Sequence, residues 1–235
     1  MAKKILLLCD ESDLDKFTAK FANEDVEIFS IFEHDFVEKL DFENFEQLAI
    51  DAKSLGIYCV FIFDIEALKA NAADIFKKYG FETFAVSPKF LRFQLSKLDG
   101  KTFFKENGIN IPKTLNLFAP IFPAVIRKNS DNRAKIIHNQ REKEQLFCEF
   151  SNDFFLEEFI EGKHEKISIF FNGKNLETDN FDNINLKIFI QNLEKIFAEN
   201  SDGYKYFAEL EIIISQNEIY FYDIKFSNIP KHIII

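Results

Sequence analysis

Glycine is scarce in this sequence, with 7 residues in a chain of 235. Average usage would give roughly 16 glycines in this length. Nucleotide enzymes usually need glycine where the backbone approaches a phosphate, and neither a GxGxxG fingerprint nor a P-loop occurs in the chain. The scarcity counts against a standard glycine-rich phosphate cradle.

Cysteine is also scarce, and the three residues Cys9, Cys59 and Cys148 are scattered along the chain. An odd number of cysteines at these spacings suggests neither a disulfide framework nor a zinc site. We expect core thiols in a reducing compartment, which favours the cytoplasm.

Long apolar runs and an excess of positive charge are missing as well. The segment MAKKILLLCD contains a run of four apolar residues, too short for a signal peptide or a membrane span. The formal net charge is -10, and a nucleic-acid partner would need a local basic patch that the sequence does not contain. With 47% hydrophobic residues, the chain is typical of a globular protein with a sizeable core and without a membrane or nucleic-acid partner.

Alternating strand and helix patterns fill the first 98 residues. Short apolar runs predict strands at residues 4–9, 26–32, 57–63 and 81–86, with helical patterns between them. Such βα units form a parallel sheet whose ligands lie at the carboxyl ends of the strands. The first loop at this edge, Asp10-Glu11-Ser12, would repel a phosphate rather than bind it.

The segment from Leu156 to Gly173 holds two predicted strands around an acidic and basic loop. Residues 154–160 and 166–171 have strand patterns, and four glutamates flank Gly162 between them. Two interpretations stay open, a solvated hairpin rim and an adenosine-binding hinge.

Several segments in one order resemble glycinamide ribonucleotide synthetase, an enzyme of the ATP-grasp superfamily. The first are those that resemble its hinge: Gly80 to Phe84, Leu98 to Lys105, and Gly108 to Pro112. Those that resemble its later strands are Pro123 to Arg127, Leu156 to Gly162, Glu209 to Ile212, and Tyr222 to Lys225.

The resemblance implies an α/β fold. A parallel-sheet, Rossmann-like N-terminal domain, the pre-ATP-grasp domain, would be followed by a reduced ATP-grasp α+β domain. The implied divisions are a pre-ATP-grasp domain at 1–98, a linker helix and hinge at 99–112, a small lobe at 113–173, and a truncated core lobe at 174–235. We also predict that residues 109–171 form one β-rich lobe and that a cleft separates it from the parallel-sheet domain.

The resemblance also implies a site for ATP and Mg²⁺ in that cleft. Lys105 and Arg127 would meet the phosphates, and Arg127 is the candidate catalytic residue. Glu211 and Asp223 would hold the metal. The residues that would contact adenosine are Glu157, Glu158, Phe159, Ile160 and Glu165.

Departures from the family pattern lie at the catalytic positions. Residues 128–133 replace the family's glycine-rich lid and contain no glycine. Lys225 takes the place of a ligand asparagine, and its ammonium would compete with Mg²⁺ for the same carboxylates. The chain also stops shortly after the second metal strand.

Two functional hypotheses follow from these features. The first is a catalytically silent descendant, a pseudoenzyme that keeps the fold as a binding or regulatory partner of another protein. The alternative is an active carboxylate–amine ligase of purine biosynthesis, which would form an acyl phosphate from glycine or another small carboxylate. Either would hold a nucleotide or small molecule in the interlobe cleft.

Hairpin parity at the predicted metal strands gives a further expectation. Residues 207–215 and 218–226 should pair as an antiparallel hairpin, and a two-residue loop would place Glu211 and Asp223 on opposite faces. A three-residue loop would place them together, and we predict this loop if the metal site is retained.

Overall fold

The protein is described by a computed structural model, which covers residues 2–21, 25–150, 153–178 and 181–226. The strands within these ranges are β1 (Lys3–Leu8), β2 (Val26–Ser30), β3 (Glu38–Lys39), β4 (Cys59–Ile62), β5 (Glu82–Ala85), β6 (Thr114–Leu115), β7 (Ala124–Lys128), β8 (Ala134–Ile137), β9 (Phe154–Glu158), β10 (Lys163–Phe171), β11 (Leu176–Thr178), β12 (Tyr206–Ser215) and β13 (Glu218–Lys225). The helices are α1 (Leu14–Phe21), α2 (Phe45–Ser54), α3 (Ile65–Lys69), α4 (Ala72–Lys78), α5 (Pro88–Leu95), α6 (Lys97–Glu106), α7 (Gln140–Phe150) and α8 (Ile184–Asn200). No helix in these ranges has both the length and the apolar character that a membrane span requires.

The N-terminal part is a parallel sheet in the order β3-β2-β1-β4-β5. Strands β1 and β4 lie at its centre, and their apolar runs are buried because helices cover both faces. The thiols of Cys9 and Cys59 are buried in this core, whereas the side chain of Cys148 lies outside the described part. The parallel α/β domain predicted from the sequence is confirmed.

Two antiparallel sheets follow in the chain. The small sheet has the order β6-β9-β7-β8, and the core sheet has the order β11-β10-β12-β13. The core sheet packs on α6 and α8 through aromatic side chains, and the ring centroids of Phe104 and Phe221 lie 4.2 Å apart. A backbone hydrogen bond of 2.7 Å from Ala85 N to Lys205 O joins the edge of the parallel sheet to the start of β12.

The segment around Gly162 does not form a hairpin. Strand β9 pairs with β6 and β7, while β10 pairs with β11 and β12, so the chain crosses from the small sheet to the core sheet at residues 159–162. The expectation that residues 109–171 form one lobe is therefore wrong, because the long β10 completes the core sheet. Gly162 lies so close to β12 that an added Cβ would clash with the carbonyl oxygen of Ile214.

The hairpin of β12 and β13 corrects the loop prediction. Ser215 pairs with Glu218, which leaves a two-residue turn whose first residue, Gln216, has a φ of 53°. The register then shifts between Glu211 and Ile212, so that Glu211 pairs with Asp223. Tyr222 is the extra residue of a β-bulge, and this bulge brings the two carboxylates opposite each other despite the two-residue loop.

Candidate functional site

Five charged side chains meet where α6, the small sheet and the core sheet come together. They are almost completely buried, with exposed fractions between 0% and 6%. We call them the ion cluster, and its members are Lys97 and Lys101 of α6, Arg127 of β7, Glu157 of β9 and Asp223 of β13.

Local sequence explains how α6 supplies two cations. Ser96 precedes the helix, and its hydroxyl accepts a hydrogen bond of 3.3 Å from Asp99 N. Lys97 and Lys101 are four residues apart and so lie on one face of the helix. Gly100 permits a close approach to α5, since an added Cβ would lie 3.1 Å from that of Phe93.

Asp223 bridges two of the cations. Its Oδ1 accepts a hydrogen bond of 3.0 Å from Lys97 Nζ, and its Oδ2 accepts one of 3.1 Å from Arg127 Nη2. Glu157 contacts the other side of the cluster, where its carboxylate forms an ion pair with Lys101 and lies 3.9 Å from Arg127 Nε.

Three cations and two carboxylates leave the ion cluster with one surplus positive charge. Arg127 Nη1 and Nε have no hydrogen-bond partner within the described residues. The ring of Tyr222 lies against the cluster, with its centroid 4.2 Å from Arg127 Cζ and 5.1 Å from Lys101 Nζ. This ring stabilises the surplus charge through cation–π contacts.

Burial and ion pairing act in opposite directions on the protonation equilibria in the cluster. Loss of hydration lowers the pKa of Lys101 to about 8, although Glu157 acts in the opposite direction. Burial also raises the pKa of the Glu157 carboxyl above its ordinary value, against the effect of Lys101 and Arg127. For Arg127, burial disfavours the charge, but Glu157 and Asp223 outweigh it and raise the pKa.

The predicted metal residues are both paired with cations. Lys225 Nζ donates a hydrogen bond of 2.6 Å to Glu211 Oε1, and Lys166 Nζ lies 3.2 Å from the same oxygen. These pairs hold the pKa of Glu211 below its ordinary value despite burial. Mg²⁺ requires oxygen ligands free of competing cations, and the described residues contain no group of three metal-ligating side chains. In this arrangement Glu211 and Asp223 do not fit Mg²⁺.

Lys105, predicted to meet the phosphates, does not belong to the ion cluster. Its side chain is exposed and makes no ion pair or hydrogen bond with the described residues, whereas Lys101, one turn earlier, contacts Glu157. Lys97 and Tyr222 were not predicted at all. The spacing of Lys97, Lys101 and Lys105 at i, i+4 and i+8 shows a single helix face, and it does not show which lysine reaches the cleft.

The predicted adenosine residues lie along the crossing between the sheets. Two hydrogen bonds of 2.9 Å hold Glu158 to the backbone of Lys113. Lys113 N donates one to Glu158 Oε1, and Lys113 O accepts the other from Glu158 N. Glu165 pairs with Lys163, and Glu157 belongs to the ion cluster. The backbone of Phe159, Ile160 and Glu161 makes no hydrogen bond within the part of the chain that is described.

A pocket of about 100 Å³ opens beside this free backbone, between the small sheet and the core sheet. We call it the cleft pocket. Its walls are largely apolar, and the side chains used below are Val125, Glu158, Phe159, Ile160, His164 and Tyr222. Arg127 and Lys101 do not line it.

The turn between β7 and β8 stands where a lid was expected. Asn129 fixes it to the start of α6, since its backbone O accepts from Lys97 N and its Oδ1 accepts from Leu98 N, both at 2.9 Å. Asp131 and Arg133 form an exposed pair within the turn, which keeps the pKa of Asp131 at about 2. The turn is therefore anchored on one side of the ion cluster.

Comparison with solved structures finds the same fold in several enzymes. An L-amino acid ligase from Bacillus licheniformis superposes with a TM-score of 0.63 at 13% identity, covering 94% of this chain and 66% of that one. N5-carboxyaminoimidazole ribonucleotide synthetase from Thermotoga maritima superposes with a TM-score of 0.61 at 17% identity, covering 95% of this chain and 68% of that one. A biotin carboxylase from Campylobacter jejuni, solved as a β,γ-ATP complex, superposes with a TM-score of 0.65 at 11% identity, covering 98% of this chain and 66% of that one.

These structures have the ATP-grasp fold, and carboxylate–amine ligases are among them. The likeness confirms the fold class predicted from the sequence. The chain spans about two thirds of the length of these three structures. No protein-family model matches the chain, and none of the curated proteins matches it either. The narrower resemblance to glycinamide ribonucleotide synthetase stays a prediction.

Proposed function

We propose that this chain is a catalytically silent protein of ATP-grasp fold that binds a purine-containing small molecule in the cleft pocket. It would descend from a ligase resembling phosphoribosylamine–glycine ligase of purine biosynthesis. Its buried thiols, Cys9 and Cys59, favour a reducing compartment such as the cytoplasm.

The ion cluster is the observation that carries this proposal. A triphosphate needs cations that are free to meet it, and here Lys97, Lys101 and Arg127 are already paired with Asp223 and Glu157. Separating one partner of a buried pair costs about 3–5 kcal/mol. Binding of MgATP would therefore begin with an energetic penalty, and the carboxylates would also have to release their cations to the metal.

The anchored turn between β7 and β8 supports the same conclusion. Phosphoryl transfer requires donors placed around the charge that develops on the transferred group. In this turn Asn129 is bonded to α6 through its backbone O and its Oδ1, and the Asp131 carboxylate is paired with Arg133. The turn is therefore held at α6, and its carboxylate cannot donate to a phosphate.

Binding of a purine is supported by the crossing between the sheets. The free backbone groups of Phe159 to Glu161 offer donors and acceptors to the edge of a base. The largely apolar walls of the cleft pocket suit the faces of a planar ring, with the aromatic side chains Phe159 and Tyr222 among them. Shape and hydrogen bonding thus favour a base more than a charged group.

An active ATP-dependent carboxylate–amine ligase is the second candidate. Lys101 favours it, because this lysine is buried in the ion cluster next to Tyr222 and its pKa of about 8 makes its charge easy to modulate. Arg127 keeps a positive charge at the predicted phosphate position. In such an enzyme both side chains would leave their carboxylates and bind the phosphates.

Measurement of ADP release separates the two candidates. Purified protein would be incubated with saturating MgATP and a panel of small carboxylates and amines, including glycine with phosphoribosylamine. We expect no turnover above background. Turnover near ~1 s⁻¹ or faster, lost in Lys101→Met and retained in the matched surface variant Lys105→Met, would establish the ligase and overturn the proposal.

A further inference from the structure

We propose that Tyr222 excludes phosphates from the cleft pocket, so that the ligand is an uncharged purine base or nucleoside bound without a metal. This inference rests on the proposed function, because it names the ligand class of the same pocket.

The position of the Tyr222 ring is the first argument. Tyr222 lines the cleft pocket, whereas Arg127 and Lys101 lie 4.2 Å and 5.1 Å from its ring and do not line the pocket. The ring therefore stands between the pocket and the cations. A phosphate attached to a base in the pocket would meet an aromatic ring instead of a guanidinium or an ammonium group.

The β-bulge explains why the ring lies there. The register shift next to Glu211 makes Tyr222 an additional residue beside Asp223. In a regular strand these two neighbours would point to opposite faces. A bulge re-aims a side chain, and here Tyr222 contacts the same cations that Asp223 pairs with.

Contacts on two sides hold the ring in place. Arg127 and Lys101 lie against it from the ion cluster, and cation–π contacts of this kind are stronger when desolvated than at an exposed site. His164 packs edge-on from the cleft side, with ring centroids 5.3 Å apart and planes at 79°. Swinging the ring aside to admit a phosphate would break both sets of contacts.

The size of the pocket agrees with a ligand that places only a small group, such as a base, inside it. About 100 Å³ is well below the ~300–1,000 Å³ typical of sites that enclose drug-sized ligands. A base or nucleoside is a small ligand with hydrogen-bonding edges for the free backbone of Phe159 to Glu161. A triphosphate would have to extend beyond Tyr222 into the filled ion cluster.

Calorimetric titration with adenosine, AMP and ATP, each with EDTA and with Mg²⁺, tests the inference. We expect the wild type to bind adenosine at least as tightly as AMP or ATP, with no effect of Mg²⁺. In Tyr222→Ala the ratio of AMP affinity to adenosine affinity should rise about tenfold, equivalent to ~1.4 kcal/mol. Tyr222→Leu, which keeps an apolar side chain for packing, should raise it in the same direction.

Tyr220→Ala is the matched control, because Tyr220 is on the same strand but does not line the pocket. This variant should keep the wild-type ratio. A wild type that prefers ATP to adenosine by about tenfold or more, or an unchanged ratio in both Tyr222 variants, would overturn the inference while leaving purine binding intact. Absence of binding by all three ligands would instead overturn the proposed function itself.

Discussion

Asp223→Ala removes the carboxylate that holds two buried cations, and its effect on stability follows from the geometry of the ion cluster. Lys97 and Arg127 lie 3.0 Å and 3.1 Å from Asp223 and are 6% and 1% exposed, so water cannot replace the lost partner without local opening. Removing one partner of a buried pair costs about 3–5 kcal/mol. Because native domains are stable by only ~5–15 kcal/mol, the variant should fold but with a large loss of stability.

Urea denaturation followed by circular dichroism measures this loss, with an unchanged m value as the sign that unfolding stays two-state. The exposed pair of Glu66 and Lys69 supplies the control, and Glu66→Ala should change stability by less than ~1 kcal/mol. Arg127→Met should lower the free energy of unfolding by less in the Asp223→Ala background than in the wild type, because Arg127 has then already lost its partner Asp223. A loss below ~1 kcal/mol for Asp223→Ala would refute the description of the cluster as a set of dry, buried ion pairs.

Two further predictions concern the buried thiols and the crossing between the sheets. Burial raises the pKa of the Cys59 thiol to about 12 from its ordinary 9.0, so the folded chain keeps a proton that the unfolded chain loses above pH ~9. The stabilisation that the protonated thiol contributes is complete below pH ~9 and is lost as the pH rises through ~12. Between about pH 8 and about pH 10.5, the free energy of unfolding in urea should therefore fall more for the wild type than for Cys59→Ser. An equal fall in both proteins would contradict this prediction. Gly162→Ala should lower stability by ~1–3 kcal/mol, because the new methyl group overpacks against Ile214. The control Lys163→Ala, at the exposed neighbour, should leave the melting temperature close to that of the wild type. A wild-type melting temperature for Gly162→Ala would exclude the close approach of Gly162 to Ile214.

The parallel sheet could be predicted from sequence because short apolar runs that alternate with helical patterns are local signals, and two of these helices end at a glycine. Gly56 and Gly80 take positive φ at the ends of α2 and α4, as a glycine after a helix predicts. The crossing at 159–162 was less visible, because two strands joined by a short polar loop have the same pattern whether or not they pair with each other.

The candidate site was harder to predict, because its decisive contacts join distant residues. Lys97 and Asp223 are 126 residues apart, and no local pattern marks them as partners. The bulge at Tyr222 adds one residue to the register, and hairpin parity alone therefore gave the wrong relation between the loop and the faces of Glu211 and Asp223. The family resemblance placed Lys105 at the phosphates, and helical spacing does not separate it from Lys101, since both lysines follow the same helical period.

The carboxylates at the predicted metal position are already neutralised by the protein's own cations. Electron paramagnetic resonance of Mn²⁺, used as a probe for Mg²⁺, measures metal binding there in the presence and absence of ATP. We expect the protein to leave the free Mn²⁺ signal unchanged, and we expect the double variant Lys97→Met with Lys225→Asn to gain measurable binding, because Asp223 and Glu211 then each lose one of two competing cations. Stoichiometric Mn²⁺ binding by the wild type, abolished by Asp223→Asn, would show that these carboxylates are free for a metal.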